Sequence, residues 1–278
     1  MSASFARWLR LMPVTLLLAS DLVFAERPDS GPPERISESF CDDMRTHNVL
    51  KANSQVSCDR LRLVKFAYVG FDRALHTDGE VVVLDAVAIH VARIFAALRN
   101  RRFPIAKATP MNRYEGDDEA SMIDNNTSAF NDRNIAGDNR ISLHAFGLAI
   151  DLNPVQNPQI TRLGNSLQVH PAAGANYLNR LNARPGKPTR PGMAEAVVNL
   201  FADEGFLVWG GYWDGPIDYQ HFEVGRRLAE RLVAATPSDA EAIFDGVIDR
   251  YRTCLAQIRP MSEEGRVNCV NELDRTTE

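Results

Sequence analysis

Two short and widely separated segments constrain this chain more than any other feature. The first, SLHAFGLAID, contains His144 and Asp151, and the second, DYQH, contains Asp218 and His221. Two imidazoles and one carboxylate make a three-ligand zinc site whose fourth position stays open for water, the arrangement of a catalytic rather than a structural zinc. The sequence therefore predicts a fold that brings both segments together around one Zn2+ ion, bound by His144, Asp151 and His221.

The second segment also contains a carboxylate that the metal does not need. Asp218 lies three residues before His221, and we predict that it acts as general base on the attacking water and then as general acid to the leaving amine. A cation must also stabilise the oxyanion of the tetrahedral intermediate. Arg133, on the polar loop that leads to His144, is favoured for this role over Arg140. Together these residues predict a zinc hydrolase.

The spacing within the first segment sets a condition on the backbone. His144 and Asp151 are seven residues apart, and an odd interval on one continuous strand would place them on opposite faces. Gly147 lies between them and can supply a bend or bulge. Convergence of the ligands therefore requires a break in the strand near Gly147.

The N-terminus has the features of an export signal. Residues 1–25 contain two arginines followed by an apolar run, which is interrupted by Pro13 and followed by Asp21. This run is too short and too polar for a comfortable membrane span. We expect cleavage near Ala25, export to the periplasm or the medium, and no stable membrane anchor; an uncleaved anchor is the alternative.

The four cysteines predict disulfides rather than a metal site. Cys41, Cys58, Cys254 and Cys269 permit three pairings, and an exported chain favours disulfide formation. Proximity in sequence favours Cys41–Cys58 and Cys254–Cys269, each closing a short loop worth about 3 kcal/mol. Free or zinc-bound thiols are the alternative, but the chain has no CxxC pair.

Composition excludes some classes of partner. The chain is 45% hydrophobic and 24% charged, which is ordinary for a globular protein that buries a sizeable core. Its net charge is −5, without a block of Lys or Arg, which argues against nucleic acid as the main partner because phosphate binding needs concentrated positive charge. The oligomeric state stays open.

Local patterns predict where several elements begin. Thr77-Asp-Gly-Glu80 has the form of a capping box, and it predicts a helix of about twenty residues with an apolar stripe. Residues 147–153 are expected to form a strand, and residues 219–224 another. Ser238-Asp-Ala-Glu241 is a second capping box, which predicts a helix through Ile258.

The two metal-binding segments resemble a known family. The pattern SxHxxGxAxD followed by DxxHF(E) is similar to the signature of the zinc D-alanyl-D-alanine carboxypeptidases and L-alanyl-D-glutamate endopeptidases, which share a fold with the hedgehog signalling domain. The likeness covers roughly residues 60–224. It implies His144, Asp151 and His221 as zinc ligands, Asp218 as the catalytic acid and base, and Arg133 as the carbonyl-polarising residue. The resemblance to this family also includes four further stretches, Gly116-Asp-Asp118, Asn125-Asn-Thr-Ser-Ala-Phe130, Asn153-Pro and Trp209-Gly-Gly with Trp213.

One position departs from the family pattern. Close relatives often have a cysteine before the arginine, whereas this chain has Asp132. An acidic neighbour could draw Arg133 into a salt bridge, which would compete with its predicted role.

The resemblance also implies a fold, a domain organisation and a substrate. We expect an α+β fold with a central antiparallel sheet flanked by helices. The expected parts are an N-terminal leader with two cysteines, a zinc peptidase domain and a helical C-terminal extension, spanning residues 26–60, 61–224 and 225–278. The expected substrate is the stem peptide of bacterial peptidoglycan, with the bond that is cut left open. The alternatives are a non-catalytic, zinc-stabilised module that binds cell wall or protein, and a non-haem iron oxygenase, which also uses two histidines and a carboxylate.

Overall fold

A long β-hairpin forms the platform of the fold. In a computed structural model of the protein, residues 31–259 and 262–276 are described; the predicted signal peptide lies outside them. Strands β2 (Leu61–Val69) and β3 (Leu75–Leu84) pair antiparallel, and the short β1 (Glu34–Arg35) pairs with β2. Helix α2 (Ala88–Asn100) packs on this sheet, with the ring of Phe95 stacked on Phe66 at 3.6 Å between centroids. The central core of the protein lies at this contact.

The predicted start of a helix at Thr77 is wrong, although the second half of the predicted helix forms α2. Thr77 and Glu80 lie in β3, and α2 begins only at Ala88. The three consecutive valines that follow Glu80 are buried against the core, and β-branched side chains favour strands. Cross-strand pairing therefore outweighs a capping-box pattern that arises here by chance.

The N-terminal segment packs into the same core. Helix α1 (Glu38–Thr46) begins after Ser37, whose side chain accepts a hydrogen bond from the Phe40 amide. Its buried face contributes Cys41 and Met44 to the main hydrophobic cluster. The predicted Cys41–Cys58 disulfide is confirmed.

The strands that follow α2 are short and form separate sheets. The α+β class is confirmed, but instead of one central sheet the described strands form three antiparallel sheets of three strands and one parallel pair. Prolines, glycines and 3-10 turns break this part of the chain before longer strands can form. The first sheet is the β1-β2-β3 platform. The second sheet has the strand order β6 (Ala149–Asp151), β11 (His221–Glu223), β9 (Val208–Trp209). The third sheet has the order β10 (Ile217–Asp218), β7 (Gln159–Leu163), β8 (Ser166–His170). The parallel pair consists of β4 (Lys107–Ala108) and β5 (Asn126–Thr127).

The C-terminal part is helical, as expected. Two short helices, α3 (Asp118–Ile123) and α4 (Val198–Asp203), lie within the central part of the chain, and α5 (Arg226–Ala234), α6 (Pro237–Gln257) and α7 (Glu263–Thr276) follow it. The cap of α6 is Thr236, whose hydroxyl accepts from the Asp239 amide, so the helix starts slightly earlier than the Ser238 pattern predicted. The Cys254–Cys269 disulfide joins α6 to α7 and is also confirmed.

Two observations bear on the compartment. Two disulfides indicate an oxidising environment outside the cytoplasm. Within residues 31–259 and 262–276, every helix is too short or too polar to span a lipid bilayer.

The predicted break at Gly147 is a turn rather than a bulge. A 3-10 turn, Leu143–Phe146, ends at Gly147, which has φ = +67°, and β6 begins at Ala149. The Gly147 carbonyl accepts a hydrogen bond from the Leu84 amide at 3.0 Å. A Cβ atom on Gly147 would lie 2.6 Å from that same amide nitrogen. Only glycine allows both the left-handed backbone and this close approach to β3.

Gly147→Ala is therefore expected to destabilise the fold by about 2–4 kcal/mol, because it adds steric overlap with β3 to the cost of a positive φ. The matched control is Gly186→Ala, since Gly186 has φ = +69° but no atom within 4 Å of an added Cβ. The control should cost only about 1 kcal/mol. Chemical denaturation of both variants measures the difference, and equal losses would show that the contact with β3 contributes nothing.

Candidate metal centre

Three predicted ligands meet in the fold. His144 lies on the 3-10 turn, Asp151 ends β6 and His221 begins β11, where it sits directly opposite Asp151 in the strand register. His144 Nε2 lies 3.2 Å from Asp151 Oδ2 and 3.2 Å from His221 Nδ1, and His221 Nδ1 lies 3.1 Å from Asp151 Oδ1. All three side chains are buried. The prediction that they converge is confirmed.

The second nitrogen of each imidazole is already engaged. His144 Nδ1 donates to the Ala129 carbonyl at 2.5 Å, and His221 Nε2 donates to Glu223 Oε2 at 2.9 Å. When the imidazoles are neutral, these bonds leave His144 Nε2 and His221 Nδ1 with lone pairs toward the centre of the triangle. A carboxylate or carbonyl on the outer nitrogen is the usual means of orienting a metal-binding histidine.

The donor set fits a divalent ion. One atom from each residue can be chosen so that all three lie within 4.8 Å of one another. A tetrahedral zinc with bonds of about 2.0–2.1 Å separates its ligand atoms by about 3.3 Å, close to the observed spacing. Imidazole and carboxylate donors suit zinc and related transition metals better than magnesium or calcium. The residues present can therefore hold one metal ion.

Asp151 and His221 alter each other's pKa values. Burial raises the pKa of Asp151, but the charges and hydrogen bonds of His144 and His221 outweigh it and hold this pKa well below its usual range. Burial alone would lower the pKa of His221, but its bonds to Asp151 and Glu223, together with their charges, raise it well above its ordinary value. A proton at His221 Nδ1 thus occupies the position that a metal ion would take.

Asp218 lies beside the triad in a different environment. It is buried in β10, and Oδ2 accepts a hydrogen bond from Gln159 Nε2 at 3.1 Å. Oδ1 has no hydrogen-bond partner among the described residues. Burial, followed by the negative charge of Asp151, raises the pKa of Asp218 to about 7. A carboxyl group with this pKa can both accept and return a proton near neutral pH.

Arg133 lines the same cavity but is held by an unexpected partner. Its Nη2 pairs with Asp118 Oδ2 at 2.7 Å, whereas Asp132 instead accepts from the Lys51 backbone amide. The Arg133 Nε is buried with no partner within the described part of the chain. Arg140 pairs with Asp138 at the surface, so it does not compete for the cavity.

The metal ligands form the floor of a cavity of about 470 Å³. A second cavity of about 680 Å³ lies between β9, β11 and the C-terminal helices, and it shares Trp213, Glu223 and Arg226 with the first. Sequence reasoning assigned no role to Glu223 or Gln159. Glu223 could have been found, since it follows His221 by two residues on one strand face, whereas nothing in the sequence marks Gln159.

Glu223→Leu is expected to weaken metal binding about 10- to 100-fold, because His221 loses the group that orients its ring and fixes its tautomer. Glu223→Gln, which can still accept the hydrogen bond, should lose less. Glu119→Gln is the control, since Glu119 lines the same cavity but bonds to His170 rather than to a ligand. Competition with a chromogenic chelator measures the affinities, and wild-type affinity in the Leu variant would exclude this role for Glu223.

Metal affinity is also expected to rise with pH across the neutral range. The raised pKa of His221 means that a proton must leave Nδ1 when the metal binds. The apparent affinity should therefore increase by up to about tenfold per pH unit from pH 6 to pH 8. Zinc titrations at several pH values, with calorimetry in buffers of different ionisation enthalpy, measure the released proton. A flat affinity over this range would contradict the charge assignment.

The family comparison agrees with the geometry. Residues 136–224 match a family described as D-alanyl-D-alanine carboxypeptidase; this range contains the three ligands and Asp218, but not Arg133. No curated protein and no solved structure matches the chain. The matched segment carries the buried His144, Asp151 and His221 triad on which the resemblance rested. Residues 136–224, about a third of the chain, are thus similar to the D-alanyl-D-alanine carboxypeptidase family of metallopeptidases, and they carry a buried triad that can hold a metal ion.

Proposed function

We propose that the protein is an exported zinc peptidase that hydrolyses a peptide bond in the stem peptide of peptidoglycan, as a D-Ala-D-Ala carboxypeptidase or an L-Ala-D-Glu endopeptidase. The observation that carries this proposal is the buried triad with a second, unliganded carboxylate in the same cavity. We further propose that zinc is the metal and that residues 61–224 form the catalytic domain, with the fold shared by these peptidases and hedgehog.

Asp218 performs the proton transfers in this mechanism. His144, Asp151 and His221 would hold a zinc ion, which would supply Lewis acidity and make a water molecule in the site easier to deprotonate. The free Oδ1 of Asp218 takes a proton from the attacking water. The protonated carboxyl then gives this proton to the leaving amine, which restores the carboxylate. The pKa of about 7 suits both steps.

Arg133 stabilises the negative charge that develops on the substrate carbonyl oxygen. Its guanidinium lines the cavity, Asp118 fixes one end of it, and its Nε keeps an unused N–H. The ion pair with Asp118 orients the guanidinium and offsets its positive charge. We therefore expect Arg133 to act mainly by a directed hydrogen bond.

The proposed location is the periplasm or the medium. The disulfides require an oxidising compartment, and peptidoglycan lies outside the cytoplasm. The apolar N-terminal run with its cut near Ala25 supplies the export route.

A non-catalytic binding module is the competing proposal, and Asp218 argues against it. A buried carboxylate with one oxygen unpaired costs stability, because that oxygen gives up its hydration without a replacement bond. A module that only binds gains nothing from this arrangement. Catalysis needs it, since a base must keep one oxygen free for the proton it removes.

Asp218→Asn is expected to lower kcat about a hundredfold to ten-thousandfold while one zinc per chain remains bound, because the amide cannot accept the proton. His144→Ala should lose both zinc and activity. Purified muropeptides are the substrate, and mass spectrometry of the products also identifies the bond that is cut. Full activity in the Asn variant would exclude Asp218 as the base, and an inactive, zinc-loaded wild type would support the binding module.

A further inference from the structure

Gln159 and Asp218 are cross-strand neighbours. They occupy directly opposed positions in the antiparallel pairing of β7 with β10, so their side chains project from the same face. Both line the metal cavity. Gln159 is half-buried there, and its Nε2 lies 3.1 Å from Asp218 Oδ2.

This hydrogen bond makes the two oxygens of Asp218 unequal. Oδ2 has a donor, and Oδ1 is buried with no partner among the described residues. The Gln220 side chain also stabilises the carboxylate, but its Nε2 donates to Met122 Sδ, so among the described residues Gln159 is the donor that holds Oδ2. Without this donor, the carboxylate could rotate and exchange its two oxygens. The amide thus determines which oxygen stays free. The orientation of the amide is also fixed, because a carboxylate accepts hydrogen bonds and only the nitrogen of glutamine can donate one.

The position of Gln159 is set by the backbone on both sides. β7 is the middle strand of its sheet, with Asp218 opposite Gln159 on one side and His170 opposite it on the other. Strand pairing on both sides therefore fixes the position of the Gln159 amide relative to Asp218. A neutral amide suits this task better than Lys or Arg, because it orients the carboxylate without an ion pair that would weaken it as a base.

We propose that Gln159 is a positioning residue for catalysis, which holds Oδ2 of Asp218 so that Oδ1 faces the attacking water. The inference rests on the proposed role of Asp218 as the base. On this proposal, the β7–β8 hairpin contributes to catalysis as well as lining the cavity.

Two variants of nearly equal length separate positioning from packing. Gln159→Met keeps the size of the side chain but cannot donate, and it should lower kcat about tenfold with KM nearly unchanged, the effect of losing one hydrogen bond to a charged group. Gln159→Glu replaces the donor with a second carboxylate, and it should lower kcat at least as much and move the acid limb of the kcat–pH profile upward. Zinc content and melting temperature should stay at the wild-type values.

Arg162→Gln is the matched control on the same strand. Arg162 is exposed and three residues from Gln159, so it projects from the opposite face. Its replacement should leave kcat, KM and the pH profile unchanged. If the Met variant fails to fold, Gln159→Asn, whose amide is too short to reach Oδ2, should show the same loss of kcat.

The outcomes separate this inference from the function on which it rests. The proposal is supported if kcat and the pH profile change as stated in zinc-loaded, folded variants. It is overturned if both Gln159 variants keep the wild-type kcat and pH profile while Asp218→Asn is inactive. If Asp218→Asn is fully active, or the wild type cleaves no muropeptide, the proposed function fails and the role of Gln159 fails with it.

Discussion

The pairing of β6 with β11 is the constraint on which the site depends. Asp151 and His221 are opposed in this register, and the neighbouring pair, Ile150 and Phe222, projects to the other side into the core. Phe222 is fully buried and stacks on Phe201 at 3.9 Å between ring centroids. A slip of one residue would expose Phe222 and turn His221 away from Asp151. Core packing on one face therefore fixes the ligand geometry on the other.

The site contains three acidic groups whose partners give them different roles. Asp151 bonds to both histidines and stays ionised, while Glu223 bonds only to the outer nitrogen of His221. Asp218 forms no ion pair among the described residues, and burial, followed by the nearby charge of Asp151, outweighs the opposing charge of His221 and raises the pKa of Asp218 to about 7. Enzymes often place neighbouring carboxylates in different environments, so that one has a low pKa and stays charged while the other has a higher pKa and can carry a proton. Three residues with the same functional group thus lie in three different environments, which support the proposed roles of metal ligand, orienting group and base.

Features encoded over short distances were predictable from the sequence, and long-range contacts were not. The turn at Gly147 and both disulfides depend on local spacing, and both predictions were confirmed. The three candidate ligands lie in two distant segments, but each segment carries a short motif that marked them. The segment at Thr77 was assigned to a helix because local capping chemistry was read without its partner strand. Asp132, the sequence neighbour of Arg133, was the candidate for a salt bridge with it, but folding brings Asp118 to that guanidinium instead. Nothing in the sequence marked Gln159, because its proposed role follows only from the register of β7 with β10.

The family match ends at residue 224, but the packing that supports the site continues beyond it. Arg60 forms two hydrogen bonds to the buried Asp85 and also donates to the carbonyls of Leu232, Val233 and Ala235. Leu232 and Val233 lie in the last turn of α5, and Ala235 directly follows the helix. Carbonyls at these positions have no hydrogen-bond partner within the helix.

This contact ties the C-terminal helices to the turn that carries His144. Asp85 directly follows Leu84, whose amide bonds to the Gly147 carbonyl. On the other side, Arg226 at the start of α5 donates to the Ile141 carbonyl just before the same turn. Both ends of α5 are thus connected to the backbone around His144. A disturbance of α5 should reach the metal ligands through these bonds, so the helical extension is part of the structure that holds the metal centre in place.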